Sequence, residues 1–122
     1  MTPLVVALAG GLGAVTRFVV DAQIARRAPR WGVPLGTAVI NITGSFLLAV
    51  VVGWWGTHDG DVLLKSALGT GFLGGYTTFS TASVEAARLL RAQESWRLVG
   101  HAGGMLVLSV AAAFLGFWLG SL

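Results

Sequence analysis

The sequence predicts an all-α membrane protein, a single domain over residues 1–122 with four transmembrane helices, the third of them broken in mid-membrane. Hydrophobic residues make up 55% of the chain and charged residues only 11%, whereas soluble domains usually carry about 25% charged residues. The apolar residues form four runs, each of about the 20 residues that cross a bilayer. Because a chain this short cannot hide so much apolar surface from water, lipid is its expected solvent.

Charged connectors and tryptophans mark the ends of the four predicted spans. The spans cover approximately residues 3–20, 33–55, 62–90 and 98–119. Pro34 stands near the start of the second span, where a helix tolerates proline. Tryptophan prefers the interface between membrane and water, and the five tryptophans all lie near predicted span ends: Trp31, Trp54, Trp55, Trp96 and Trp118.

The third span is rich in residues that form helices poorly. Four glycines and five hydroxyl residues crowd it: Gly69, Gly71, Gly74, Gly75, Thr77, Thr78, Ser80, Thr81 and Ser83. A break near Gly74 to Thr78 would free backbone carbonyls at a depth where only protein, water or an ion can satisfy them, as in the ion sites of transporters. Alternatively, the small residues only allow close helix packing, and this segment alone leaves both interpretations open.

Several classes of function are not expected from the composition. The basic residues lie in connectors without interleaved aromatic residues, which argues against nucleic-acid binding. The chain has no cysteine, so a thiolate site is excluded. His58 and His101 have no second ligand at metal spacing, and Ser80 and Ser109 have no base at hand. We therefore do not expect an enzyme, whereas Asn41, an amide in mid-span, indicates a polar path or bundle interior.

Three stretches of the chain, read together, form a recognisable pattern. The first is the glycine-rich run Gly10–Phe18, which ends in Arg17 and Phe18. The second consists of Pro34 to Thr37, Asn41 and Gly44 to Phe46. The third reads GFLGGYTTFST from Gly71 to Thr81. The first stretch is a weak signal, and the third, following the second at this spacing, is highly specific. In these stretches the chain resembles the small bacterial fluoride channels of the Fluc (CrcB) family, and the resemblance covers essentially the full length.

The resemblance implies an antiparallel, dual-pore dimer that exports fluoride passively and lowers its cytoplasmic concentration. It also implies a structural sodium ion at the dimer centre, held by the backbone carbonyls of Gly74 and Thr77. It places five residues along the fluoride pathway, Asn41, Phe79, Thr78, Ser80 and Ser109, and we add Arg17 as a sixth because of its charge and its position near a helix end. Amide and hydroxyl groups donate hydrogen bonds, an aromatic ring has a positive edge, and an arginine near a helix end raises the local anion concentration at a pore mouth.

The chain departs from the family pattern at two positions. Ala82 stands where the family usually repeats a phenylalanine, and Met105 stands where the fourth helix often has a tyrosine. One aromatic contact and one hydroxyl are thus expected to be missing from a pore. Glu85 stands where the family also has an acidic residue, and the sequence does not assign it a role.

The basic residues are distributed unequally between the two predicted membrane sides. Seven lie on or near the side of the first and third connectors: Arg17, Arg26, Arg27, Arg30, Arg88, Arg91 and Arg97. Only Lys65 lies on the other side, so the positive-inside rule predicts both termini outside a bacterial plasma membrane. Because a homodimer of inverted copies needs a chain that inserts both ways, we favour a heterodimer with a homologous subunit of opposite charge bias.

Two other functions remain open alongside a conducting subunit. A non-conducting partner subunit of such a channel is compatible with Ala82 and Met105. A small proton-coupled multidrug exporter also has four helices in antiparallel pairs, but its mechanism needs an ionisable carboxylate within the membrane. The first span contains none, and Asp21 lies at or beyond its predicted end.

Overall fold

The computed structural model describes residues 2–27 and 35–122, without the side chain of Ser80. Within these residues the chain is helical and has no strand, as predicted for an all-α protein. We number five helices, α1 to α5, in chain order. They are Thr2–Arg27, Leu35–Thr57, the run of residues 62–76, Ser80–Arg91 and Ser95–Gly120.

Three helices in the described part of the chain are long and apolar enough to cross a membrane. They are α1, α2 and α5, with 26, 23 and 26 residues, and they correspond to the first, second and fourth predicted spans. The third predicted span corresponds to α3 followed by α4, two shorter helices separated by residues 77–79. The chain is therefore an all-α membrane protein by length and composition.

Two helices contain a π-helical turn, which local sequence did not indicate. Helix α3 consists of Val62–Ser66, the π-helical Ala67–Leu73 and Gly74–Tyr76 in direct succession. Helix α5 likewise contains the π-helical stretch Val99–Gly103. Such turns hold one residue more than an α-helical turn and often lie near functional sites.

The connectors are shorter than the sequence suggested. The first was expected to begin at Asp21, but α1 stays helical to Arg27, because alanine, glutamine and arginine are good helix formers. The third was expected over 91–97, but only residues 92–94 are non-helical, with Gln93 at a positive φ of 57°. The expected start of the second span at residues 33–34, together with Arg30 and Trp31, lies outside the described residues.

Glycines bring the helices into backbone contact. A Cβ atom at Gly13 of α1 would overlap the carbonyl of Phe72 on α3, and one at Gly75 of α3 would overlap the carbonyl of Gly10 on α1. At a second helix pair, a Cβ atom at Gly116 of α5 would overlap the carbonyl of Phe46 on α2. Small residues allow such close approach between membrane helices. These contacts set α1 against α3 and α2 against α5.

The core of a single chain is small. Ile40, Leu73 and Tyr76 form its fully buried cluster, and the Tyr76 hydroxyl lies 3.0 Å from the hydroxyl of Thr43. Most other large apolar side chains are exposed, including Phe79 at 87% and Phe114 at 75%. Exposed apolar surface on this scale marks contact with lipid or with another chain.

Candidate functional site

The chain leaves helical geometry immediately after Tyr76. Thr77 is extended, with φ −77° and ψ 157°, and α4 begins at Ser80. Gly74 is itself helical, so the glycines precede the interruption and do not form it. Residues 77–79 thus separate two helices within the third predicted span.

Asn41 of α2 binds the backbone of the interruption through two hydrogen bonds. Its Nδ2 donates to the carbonyl of Thr78 at 2.9 Å, and its Oδ1 accepts from the N–H of Thr78 at 2.9 Å. The side-chain amide of Asn41 therefore satisfies both the N–H and the C=O of Thr78, as the backbone of a neighbouring β-strand would. Because a buried peptide group without partners is costly in free energy, this pairing stabilises the non-helical conformation.

At the interruption, two N–H groups that would donate to backbone carbonyls in a continuous helix donate to side-chain oxygens instead. In a continuous α-helix, the carbonyls of Gly74 and Thr77 would accept from the N–H groups of Thr78 and Thr81, four residues on. Here the Thr78 N–H donates to Asn41, and the Thr81 N–H donates to the hydroxyl of Thr78 at 3.2 Å. Gly74 and Thr77 are the two residues whose carbonyls the family resemblance implies as ligands of a sodium ion.

A groove between α2, α4 and α5 brings together four of the six residues assigned to the ion pathway. It has a volume of about 510 Å³, and Asn41, Thr78, Phe79 and Ser109 all line it. The hydroxyl of Ser109 is buried and has no hydrogen-bond partner among the described residues. The side chain of Ser80 lies outside the described part of the chain. The groove therefore combines amide and hydroxyl groups with one exposed aromatic ring.

Both positions that depart from the family pattern also line this groove. Ala82 lies on α4 beside the interruption, and Met105 lies on α5. The sulfur of Met105 lies 3.5 Å from Nδ2 of Asn41. The two departures thus alter the surface on which Asn41, Phe79 and Ser109 lie.

Arg17 lies apart from the groove. It lines a second cavity of about 270 Å³ together with Asp21, Thr37 and Thr78, so Thr78 borders both cavities. The expectation that Arg17 lies near the end of its helix is wrong, because α1 continues to Arg27. Its Nε atom is buried without a partner among the described residues.

A polar contact near Arg17 was not predicted. The hydroxyl of Thr37 donates to Oε1 of Glu85 at 2.9 Å, and this bond joins α2 to α4. Thr37 is only 2% exposed, and Oε2 of Glu85 is buried without a partner in the described part of the chain. Thr37 lies one turn before Asn41 on the same helix face, and this spacing indicates the direction of Thr37 but does not identify Glu85 as its partner.

The fold and the groove define a class of protein: a small helical membrane protein whose polar groups meet at an interrupted helix. The model of the family described as CrcB-like protein, Camphor Resistance (CrcB), matches residues 4–121. The chain belongs to this family.

Relatives of the chain match it over nearly the full length. "Fluoride-specific ion channel FluC 1" of Leifsonia xyli subsp. xyli is 52% identical over 126 residues, which cover 100% of this chain and 90% of the relative. "Fluoride-specific ion channel FluC 2" of Cutibacterium acnes is 53% identical over 126 residues, 99% of this chain and 98% of the relative. "Fluoride-specific ion channel FluC 1" of Geobacillus kaustophilus is 37% identical over 97% of both chains.

Proposed function

We propose that this chain is a subunit of a fluoride-specific ion channel that exports fluoride passively from a bacterial cell and lowers its cytoplasmic concentration. The observation that carries the proposal is the full-length identity of 52% and 53% to two proteins named as fluoride-specific ion channels. The chain is accordingly a channel subunit and not an enzyme. Its substrate is the fluoride ion, and its environment is the lipid bilayer.

The chemistry of the groove fits a small, strongly hydrated anion. The amide of Asn41 and the hydroxyl of Ser109 supply hydrogen-bond donors to replace water. Phe79 supplies the positive edge of an aromatic ring, and its 87% exposure leaves this edge accessible to an ion or to a second subunit. The cationic side chain of Arg17, in the neighbouring cavity, favours anions electrostatically.

The channel architecture that we propose has four spans per chain and two antiparallel subunits with two pores between them. Helices α3 and α4 together form the remaining span, and residues 77–79 lie in mid-membrane. The exposed apolar side chains of Phe79 and Leu106, which line the same groove, support a subunit interface on this side. A non-helical segment at membrane depth requires protein or water around it, and the partner subunit supplies that cover.

A sodium ion at the dimer centre is part of this proposal, and the backbone carbonyls of Gly74 and Thr77 would hold it. The fit rests on the diverted donors, because both carbonyls lose the N–H groups that a continuous helix would provide. Unwound backbone carbonyls are suitable ligands for sodium. The bound ion would neutralise carbonyl dipoles that lipid cannot solvate.

The efflux of fluoride from liposomes tests the proposed function. We expect liposomes loaded with fluoride to release it when they contain this chain together with a homologous chain of opposite charge bias. Matched liposomes loaded with chloride should retain their anion. The measurement is the external fluoride concentration at a fluoride-selective electrode, and a rate equal to that of protein-free liposomes would refute the proposal.

Sodium should stabilise the assembled protein if the carbonyls of Gly74 and Thr77 bind it. A ligand that binds only the folded state raises stability with the logarithm of its concentration. We expect the midpoint of thermal unfolding in detergent to rise with sodium chloride and to change little with N-methylglucamine chloride at equal ionic strength. Equal midpoints in the two salts would exclude the sodium site and leave the fluoride assay unaffected.

The pairing of the subunits is a separate prediction. Seven basic residues lie on one predicted membrane side and one on the other, which supports a single orientation with both termini outside the plasma membrane. Because an antiparallel homodimer needs both orientations of one chain, we expect a heterodimer. Liposomes with this chain alone should then release fluoride slowly or not at all, and the second chain should restore release. Full efflux by this chain alone would contradict the heterodimer. Unchanged efflux by the pair after substitution of Asn41 in this chain would identify it as the non-conducting partner.

A further inference from the structure

The orientation of the Asn41 amide leaves one of its two hydrogens directed away from the helix interruption. Because Thr78 both donates to Oδ1 and accepts from Nδ2, the oxygen and nitrogen of the amide cannot be interchanged. One amide hydrogen is used by the Thr78 carbonyl. Within the part of the chain that the structure describes, the second hydrogen has the sulfur of Met105 as its contact, 3.5 Å from Nδ2.

Met105 therefore accepts a hydrogen bond from one of the donors that line the groove, the Nδ2 group of Asn41. A thioether sulfur accepts hydrogen bonds weakly and donates none, so Met105 occupies the second N–H of Asn41 without offering a donor of its own. Both side chains line the same groove. An anion that needs this hydrogen has to displace the sulfur.

We propose that Met105 lowers the affinity of the groove for fluoride by occupying the second amide hydrogen of Asn41. This inference rests on the proposed function, because it concerns the same groove and the same ion. Met105 is a positioning residue in this role, since it acts through Asn41. Removal of the sulfur at constant side-chain volume should release the hydrogen and strengthen fluoride binding.

The sequence offers a direct probe, because Asn41 is its only asparagine. Protein labelled with ¹⁵N-asparagine therefore gives one side-chain amide signal by NMR, which reports on the two Nδ2 hydrogens. The test compares wild type with Met105→Leu, a substitution that keeps the volume and removes the acceptor. Leu106→Ile is the matched control, because Leu106 lines the same groove and has no acceptor to lose.

Two measurements on the channel assembly in detergent decide the inference. Without fluoride, the signal of one Nδ2 hydrogen should shift in Met105→Leu and stay in place in Leu106→Ile. The protein is then titrated with sodium fluoride at constant ionic strength. The fluoride concentration at which half of the amide shift has occurred should be lower by about three- to tenfold in Met105→Leu, the range expected for one hydrogen bond. It should be unchanged in Leu106→Ile.

The outcomes separate this inference from the proposed function. A fluoride-dependent shift with the same midpoint in wild type and Met105→Leu would overturn the role of Met105 and leave the channel function intact. An absence of any fluoride-dependent shift at Asn41 in either protein would overturn this inference together with the place of Asn41 in the fluoride pathway, whereas the efflux of fluoride from liposomes decides the channel function itself. If the Nδ2 hydrogen signals of wild type and Met105→Leu coincide without fluoride, the hydrogen bond from Asn41 to the sulfur of Met105 does not exist and the inference fails.

Discussion

The substitution Asn41→Leu should abolish the fluoride efflux of liposomes that contain this chain together with its homologous partner, and it should lower the free energy of unfolding by about 2–6 kcal/mol. The estimate follows from the loss of two hydrogen bonds between Asn41 and buried backbone groups of Thr78, at about 1–3 kcal/mol each. Thr78 is 8% exposed, so water does not readily replace the amide. Efflux from liposomes and the midpoint of denaturant unfolding measure the two effects.

Ser45→Ala is the matched control for this substitution. Ser45 lies one helical turn after Asn41 and lines the same groove, so it tests for a general effect of altering this face of α2. We expect Ser45→Ala to leave stability within about 0.5 kcal/mol of wild type. An Asn41→Leu protein that unfolds and conducts like Ser45→Ala would show that the two bonds to Thr78 do not hold the interruption.

Asn41→Asp keeps the experiment informative if the leucine variant fails to fold. The aspartate oxygen still accepts from the N–H of Thr78, but it cannot donate to the Thr78 carbonyl at 2.9 Å. A carboxylate also repels an anion in the groove. We therefore expect folded protein with strongly reduced fluoride efflux.

Gly75→Ala should have the second largest effect, a loss of about 1–3 kcal/mol or more in the free energy of unfolding. A Cβ atom at Gly75 would overlap the carbonyl of Gly10, and overpacking of a tight site costs about this much. The overlap is with backbone, so a change of rotamer cannot relieve it and α1 has to move away from α3. Thermal unfolding in detergent, followed by size-exclusion chromatography, measures the loss.

The neighbouring glycine provides the control for Gly75. A Cβ atom at Gly74 would meet the carbonyl of Gly69 at 3.8 Å, an ordinary contact. Gly74→Ala keeps the backbone carbonyl and gains helix propensity, by up to about 1 kcal/mol, so its stability should equal or exceed that of wild type. Equal losses in the two variants would mean that contact between α1 and α3 is not what requires glycine at position 75.

The sequence predicted the helices well and their ends less well. Hydropathy locates α1, α2 and α5 because each must be apolar over the thickness of a bilayer. It places the end of the first span near Val20, since charged residues begin at Asp21, yet the helix continues to Arg27. Hydropathy detects where the apolar surface stops, whereas the helix stops where its backbone hydrogen bonds stop.

The sequence indicated which residues to consider for the candidate site, but not how the structure arranges them. The glycines and threonines of the third span indicate a weak helix, but Gly74 to Tyr76 remains helical. The interruption at Thr77 and Thr78 depends on Asn41, which is 37 residues away along the chain, and no local pattern contains that contact. For the same reason, the separation of Arg17 from the groove and the bond from Thr37 to Glu85 emerged only from the structure.

The π-helical turns in α3 and α5 have a consequence for how this chain tolerates changes in length. Removing one residue from an ordinary α-helix rotates everything beyond it by about 100°, which would turn Gly75 or Gly116 away from its partner helix. A π-helical turn already holds a surplus residue. A single deletion within 67–73 or 99–103 can therefore be absorbed by conversion to an α-helical turn, so these two stretches are the places where insertions and deletions among related chains should be tolerated.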